Sequence, residues 1–177
     1  MRKICLLISF CSVFNCVQGQ TKLNPVIKDY GTLFDVPFAT DKPDPSRQYK
    51  IIVEAAATNE KPEELYAPFE HISRMYNLHV YAGVPQKNLQ VEMVVFGPSV
   101  AVVLNNDAYK KKFGVDNPNL KVIEEMTKAG IQIHACGQSV MLTGIDPATV
   151  NPNIDIVVSR FTTVSDRQMK GYAFFKF

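Results

Sequence analysis

One stretch of this sequence assembles the residue types of a reactive centre. Residues 130–144 read GIQIHACGQSVMLTG. Ile131, Ile133 and Ala135 alternate with Gln132 and His134, the period of a short strand. Cys136-Gly137 ends that strand, and residues 138–142 read as one or two helical turns closed by Gly144. A cysteine at the carboxyl end of a strand, entering a helix, stands where open α/β sheets gather their ligands. Free backbone N–H groups and the helix dipole favour a thiolate there. His134 lies two residues earlier, so a strand places both side chains on one face. An imidazole beside a thiol can lower its pKa or hand it a proton. Both residues also have plainer readings. A free cysteine is commonly a small buried hydrophobe, and a strand histidine is commonly a hydrogen-bonded structural residue.

The rest of the composition isolates Cys136. Residues 1–19 read as a cleaved export signal: Arg2 and Lys3, an apolar run over residues 4–14, then Val17-Gln18-Gly19, with Gln20 as the new terminus. The apolar run is too short for a membrane span. A lipoprotein signal acylated at Cys16 is the alternative, but Phe14 and Asn15 stand where small residues are expected. Cleavage removes Cys5, Cys11 and Cys16 and leaves only Cys136 of the 4 cysteines, which excludes an internal disulfide framework. The chain carries 19 basic and 17 acidic residues. Loss of Arg2 and Lys3 brings the balance to about zero, with no basic stripe, so no nucleic-acid partner is expected. A periplasmic or secreted location follows from the signal.

The remaining chain has to position that turn. Residues 20–48 form an arm broken by Pro25, Pro37, Pro43 and Pro45. Its Val26, Ile27, Tyr30, Leu33 and Phe34 predict packing on the domain or on a neighbouring subunit. Residues 49–177 then form one α/β domain. Residues 49–57 (YKIIVEAAA) predict a buried parallel strand. Pro62 opens a helix with Leu65, Phe69, Ile72 and Tyr76 as its inner stripe, ending near Asn77. Residues 79–82 form a short link or strand, turned at Gly83. Residues 91–96 are a second strand, followed by Gly97-Pro98-Ser99 and an apolar run at residues 101–104. Residues 105–107 cap a polar helix ended by Gly114. Asn117-Pro118 starts another, with Asn as cap. After the central turn, residues 154–158 are a strand. Residues 161–170 are a helix with Phe161, Val164 and Met169 inward, and residues 172–177 (YAFFKF) are the last strand. Such alternation predicts an α/β/α sandwich with a mostly parallel sheet of about five strands.

That order of elements, with Gly97 after the VVF strand, Asn105, Asn117-Pro118-Asn119, Cys136-Gly137-Gln138-Ser139 and Gly171-Tyr172, resembles the DsrE/DsrF-like family over roughly residues 24–177. The resemblance implies a three-layer α/β/α domain that forms homo-oligomers, trimers or hexamers. It also implies a cysteine that accepts and passes sulfur as a persulfide, and Cys136 is the position that can carry this. A persulfide carrier needs a thiolate, partial exposure and room for one more sulfur. Gly137 would leave the room, and Gln138 and Ser139 could hydrogen-bond the terminal sulfur. The partner would be a sulfur donor or acceptor protein. The export signal departs from the cytoplasmic sulfur-relay members, so a tRNA pathway is not expected.

Asn59, Asn105 and Asn106 lie on loops that could face the same crevice and orient a small polar ligand, although such residues more commonly cap helices and close turns. His71 and His79 lack metal-ligand spacing with His134 and Cys136, so no metal is expected, and no cofactor motif is present. Two functions compete: a sulfur handler using Cys136 and His134, or a non-catalytic homo-oligomeric binding or scaffold module in which Cys136 is packed.

Overall fold

The computed structural model describes residues 22–177. The export signal expected at residues 1–19 lies outside them. A small antiparallel ribbon comes first, β1 (Lys22–Leu23) and β2 (Leu33–Phe34). The main sheet contains β3 (Tyr49–Ala55), β4 (Leu89–Val95), β5 (Gln132–Cys136), β6 (Asp155–Val157) and β7 (Ala173–Lys176), in the order β6-β5-β4-β3-β7. Every pairing in it is parallel. Parallel neighbours need long crossovers, which the helices supply. These are α1 (Ala67–Tyr81), α2 (Asn106–Phe113), α3 (Leu120–Lys128), α4 (Gly137–Leu142) and α5 (Arg160–Met169). The fold is therefore α/β, with a five-stranded sheet flanked by helices.

The two faces are covered unequally. On one, Ile51, Val53, Val91, Met93, Val95, Ile133 and Ala135 meet Phe69, Ile72 and Tyr76 of α1 and Val122, Ile123 and Met126 of α3. Each such side chain contributes roughly 1.5–3 kcal/mol on full burial, so this cluster carries the fold. On the other face Ile52, Val94 and Cys136 meet Val164 of α5, with Phe96, Val157 and Tyr172 packed around them.

Several boundaries differ from the sequence expectation. The first long helix starts at Ala67, not Pro62, and Pro68 is the proline in its first turn. Asn119 Oδ1 accepts the Tyr66 N–H at 2.8 Å and holds Tyr66 extended, which delays the helix. That helix also runs on to Tyr81, so residues 79–81 are helical rather than a link, and His79 Nδ1 contacts the Met75 carbonyl at 2.8 Å. Residues 97–103 form a 3-10 turn. In α5 only Val164 of the three expected apolar residues is buried, while Phe161 and Met169 are exposed. The inward face of α5 is instead set by Arg160 and Arg167, seven residues apart, which reach acids in the sheet.

The arm lies against α1 and α3. Asn77, fully buried on α1, accepts the Val26 and Ile27 N–H groups and donates to the Ile27, Tyr30 and Gly31 carbonyls. Gly31 sits at φ 67°, and a Cβ there would lie 2.3 Å from the Arg74 backbone nitrogen. Only glycine lets the arm approach α1 this closely.

Candidate functional site

Cys136 ends β5 and is the residue from which α4 starts. Its sulfur faces a second helix start as well: the Arg160 N–H, at the first position of α5, donates to Sγ at 3.4 Å. Ser159 caps α5 by accepting the Phe161 and Thr162 N–H groups, which leaves the Arg160 N–H for the sulfur. Burial pushes the Cys136 thiol up. The Ser139 hydroxyl and the backbone N–H groups of Arg160, Ser139 and Gln138 outweigh it and hold the thiol below its ordinary value. Two helix N-termini thus converge on one sulfur, where their partial positive charge favours an anion.

Access is narrower than the sequence predicts. Cys136 is only 3 % exposed. Gly137 does not leave room for a further sulfur: a Cβ there would meet the Val157 carbonyl oxygen at 2.8 Å, so the missing side chain is used up by the close approach of β6. Ser139 serves twice, since its Oγ also accepts the Gly97 N–H at 2.8 Å and ties α4 to the end of β4. Gln138 acts on the sulfur through its backbone.

His134 shares the face of Cys136 but is engaged elsewhere. Its Nε2 lies 3.0 Å from Glu92 Oε2, and its buried Nδ1 has no partner. Glu92 is an acceptor when ionised, so Nε2 is the nitrogen that carries the proton. Glu92 also accepts Arg167 Nε at 2.9 and 2.8 Å and the Tyr172 hydroxyl at 2.9 Å. Burial pushes the Glu92 carboxyl up, but donation from His134, Arg167 and Tyr172 brings it down to about 2. A second pair lies nearer the sulfur. Arg160 Nη1 contacts both Glu54 oxygens at 3.2 Å, and the guanidinium lies 4.0 Å from the Phe96 ring centre and 4.2 Å from that of Phe161.

The two expected asparagines do not join this centre. Asn105 caps α2, its Oδ1 accepting the Ala108 N–H at 2.9 Å. Asn59 lines a separate cavity of about 240 Å³ with Thr58, Ser99, Tyr109 and Lys112. Among the described residues, no group of three or more His, Cys, Asp or Glu side chains converges as a metal site would require.

Sequence reasoning missed Glu54, Glu92, Arg160 and Arg167. A signal for them exists: each glutamate interrupts an otherwise apolar strand, YKIIVEA and LQVEMVV, and a buried carboxylate needs a cation. Two arginines spaced by seven on one later helix supply both.

The profile of the DsrE/DsrF-like family matches residues 42–177. Among solved structures, MTH1491 of Methanobacterium thermoautotrophicum, a protein of unknown function, superposes with a TM-score of 0.52 at 20% identity, over 72% of this chain and 98% of its own. The ychN protein of E. coli superposes with a TM-score of 0.51 at 12% identity, over 73% and 99%. At these identities the likeness is one of fold. No curated protein matches the sequence.

Proposed function

The chain belongs to the DsrE/DsrF-like family, and on that footing we propose that it accepts sulfane sulfur on Cys136 and holds it as a persulfide. The observation that carries this reading is the convergence of two helix starts and the Ser139 hydroxyl on one sulfur, which lowers the thiol despite its burial. An inert core cysteine in apolar surroundings is raised instead. The Cys136 thiolate attacks the outer sulfur of a donor persulfide. A new S–S bond forms to Cys136, the donor's own S–S bond breaks, and the donor sulfur leaves as a thiolate with the bonding pair. The reverse step passes the sulfur on, with no net oxidation. His134 acts as a positioning residue for the strand through Glu92, not as a proton shuttle to the sulfur.

Assembly belongs to the same proposal. Met141, Leu142, Val158 and Phe161 are exposed apolar side chains on α4, after β6 and on α5, the elements around Cys136. They suit a homo-oligomer, a trimer or hexamer, or a sulfur donor or acceptor protein. The leader at residues 1–19 places the work outside the cytoplasm, in the periplasm or beyond. Among the described residues, no helix is long and apolar enough to cross a membrane.

The test is intact mass after treatment with polysulfide, with Cys136→Ser beside the wild type. One or two added sulfur atoms on wild type only are expected. Native alkylation should rise with pH through a midpoint below the ordinary thiol value, and Ser139→Ala should move that midpoint up. The scaffold reading draws on the 3 % exposure of Cys136. It takes over if the thiol gains no sulfur and resists alkylation in the native state.

A further inference from the structure

We infer that Arg160 selects the charge of whatever reaches Cys136, so that the natural sulfur source is a small sulfane-sulfur anion of the thiosulfate class, with the guanidinium as its receptor. This rests on Cys136 being a sulfur acceptor.

The argument starts from the unequal use of two arginines on one helix. Arg167 is saturated: its Nε binds both oxygens of Glu92, and its Nη1 binds Asp166 at 2.5 Å. Arg160 is not. Its two contacts to Glu54 both come from Nη1, and among the described residues its Nε and Nη2 donate to nothing. A guanidinium carries five donors in a rigid fork, so most of that fork is idle. The side chain is nonetheless held, 24 % exposed, against Phe96 and Phe161. Phe96 packs against the cluster that contains Cys136, and the Arg160 backbone touches the sulfur itself. A fixed cation with unused donors therefore stands at the rim of the thiol.

An anion approaching a thiolate is normally repelled. Here the guanidinium offsets that repulsion, and its planar fork matches the oxygens of a sulfonate-type group bidentately. Glu54 is the acid paired to Arg160, and an arriving anion takes its place on the idle face of the fork. The transfer balances without an oxidant. The Cys136 thiolate attacks the outer sulfur of thiosulfate, the donor S–S bond breaks, and its electron pair leaves with sulfite. A Cys136 persulfide anion remains at the two helix starts. Arg160 meets the charge that grows on the departing sulfite.

Two alkylating agents that differ by one negative charge, iodoacetate and iodoacetamide, read the selectivity on the full native chain by intact mass. The ratio of their rates on wild type should exceed the ratio on Arg160→Gln by about tenfold, the effect of one nearby charge at a partly screened site. Arg160→Lys should keep much of that ratio but load poorly from thiosulfate, because an ammonium lacks the fork. Arg160→Gln leaves Glu54 buried without its partner. The double variant Glu54→Gln with Arg160→Gln removes both charges and serves where the single variant fails to fold. An unchanged ratio in a folded variant overturns the inference while sulfur acceptance stands. Failure of both reagents on wild type overturns sulfur acceptance itself.

Discussion

Replacing Glu92 by glutamine tests the electrostatic frame beneath the thiol. Glu92 is 5 % exposed and takes hydrogen bonds from His134, Arg167 and Tyr172. Its carboxyl is held at about 2, against an ordinary value of 4.5. That gap corresponds to about 3 kcal/mol of folding free energy at neutral pH. The sign follows from the direction. A carboxyl lowered by folding contributes fully above the unfolded value and loses its contribution as pH falls through the folded one. Glu92→Gln should therefore cost about 3 kcal/mol at pH 7, on the order of 6–12 °C in melting temperature for a domain of this size. The difference from wild type should shrink steadily between about pH 5 and pH 2. Urea unfolding followed by circular dichroism at a series of pH values measures both. A difference that stays constant down to low pH would refute the reasoning, since the loss would then be one of packing rather than of charge. No difference at pH 7 would show that desolvation of the network cancels its ion pairs.

Two further substitutions probe how the site is held. Gly137→Ala sets a Cβ 2.8 Å from the Val157 carbonyl and must push β6 off β5. It should destabilise by about 1–3 kcal/mol and change the sulfur-loading rate by polysulfide, read by intact mass. Asn77→Ala removes five hydrogen bonds between α1 and the arm. It should cost roughly 3 kcal/mol or more, and limited proteolysis should cut the arm sooner while leaving Cys136 alkylation unchanged.

Much of this fold is written in local residue patterns. The apolar runs of β3 and β4, the Asn105 cap, the Gly114 stop at φ 79° and the strand-to-helix turn at Cys136 depend on neighbours in sequence. Asn117 also acts as a cap, its Oδ1 accepting the Asn119 N–H at 2.9 Å, although the regular helix begins at Leu120. What escaped is what distant residues decide. Tyr66 is kept out of α1 by Asn119, fifty-three positions away. Phe161 and Met169 have the spacing of core residues, yet the ion pairs of Arg160 and Arg167 turn α5 so that both stay in solvent. The same limit applies at the site. The α4 start beside Cys136 follows from adjacent residues, whereas the α5 start that completes it is brought in by a separate strand and loop.

The two halves of the α5 attachment explain how a buried thiol can still react. A lone thiolate in an apolar layer would be too costly to form, so burial alone would silence Cys136. The N–H donors of α4 and α5 remove that cost without a charged side chain on the sulfur. One of those donors belongs to α5, and α5 is the helix with the smallest apolar anchor: Val164 meets only Ile52, Val94 and Cys136. Its remaining hold on the sheet is polar, through Arg160 to Glu54 and Arg167 to Glu92. Polar contacts of this kind can be exchanged for water or for an incoming anion at much lower cost than a packed apolar face can be opened. Arg167, locked by three partners of Glu92 and by Asp166, fixes the far end of α5, whereas Arg160, with its idle donors, lies at the end beside the sulfur. Movement is thus concentrated where the thiol must be reached. The cover of Cys136 and the stabiliser of its anion are the same helix turn.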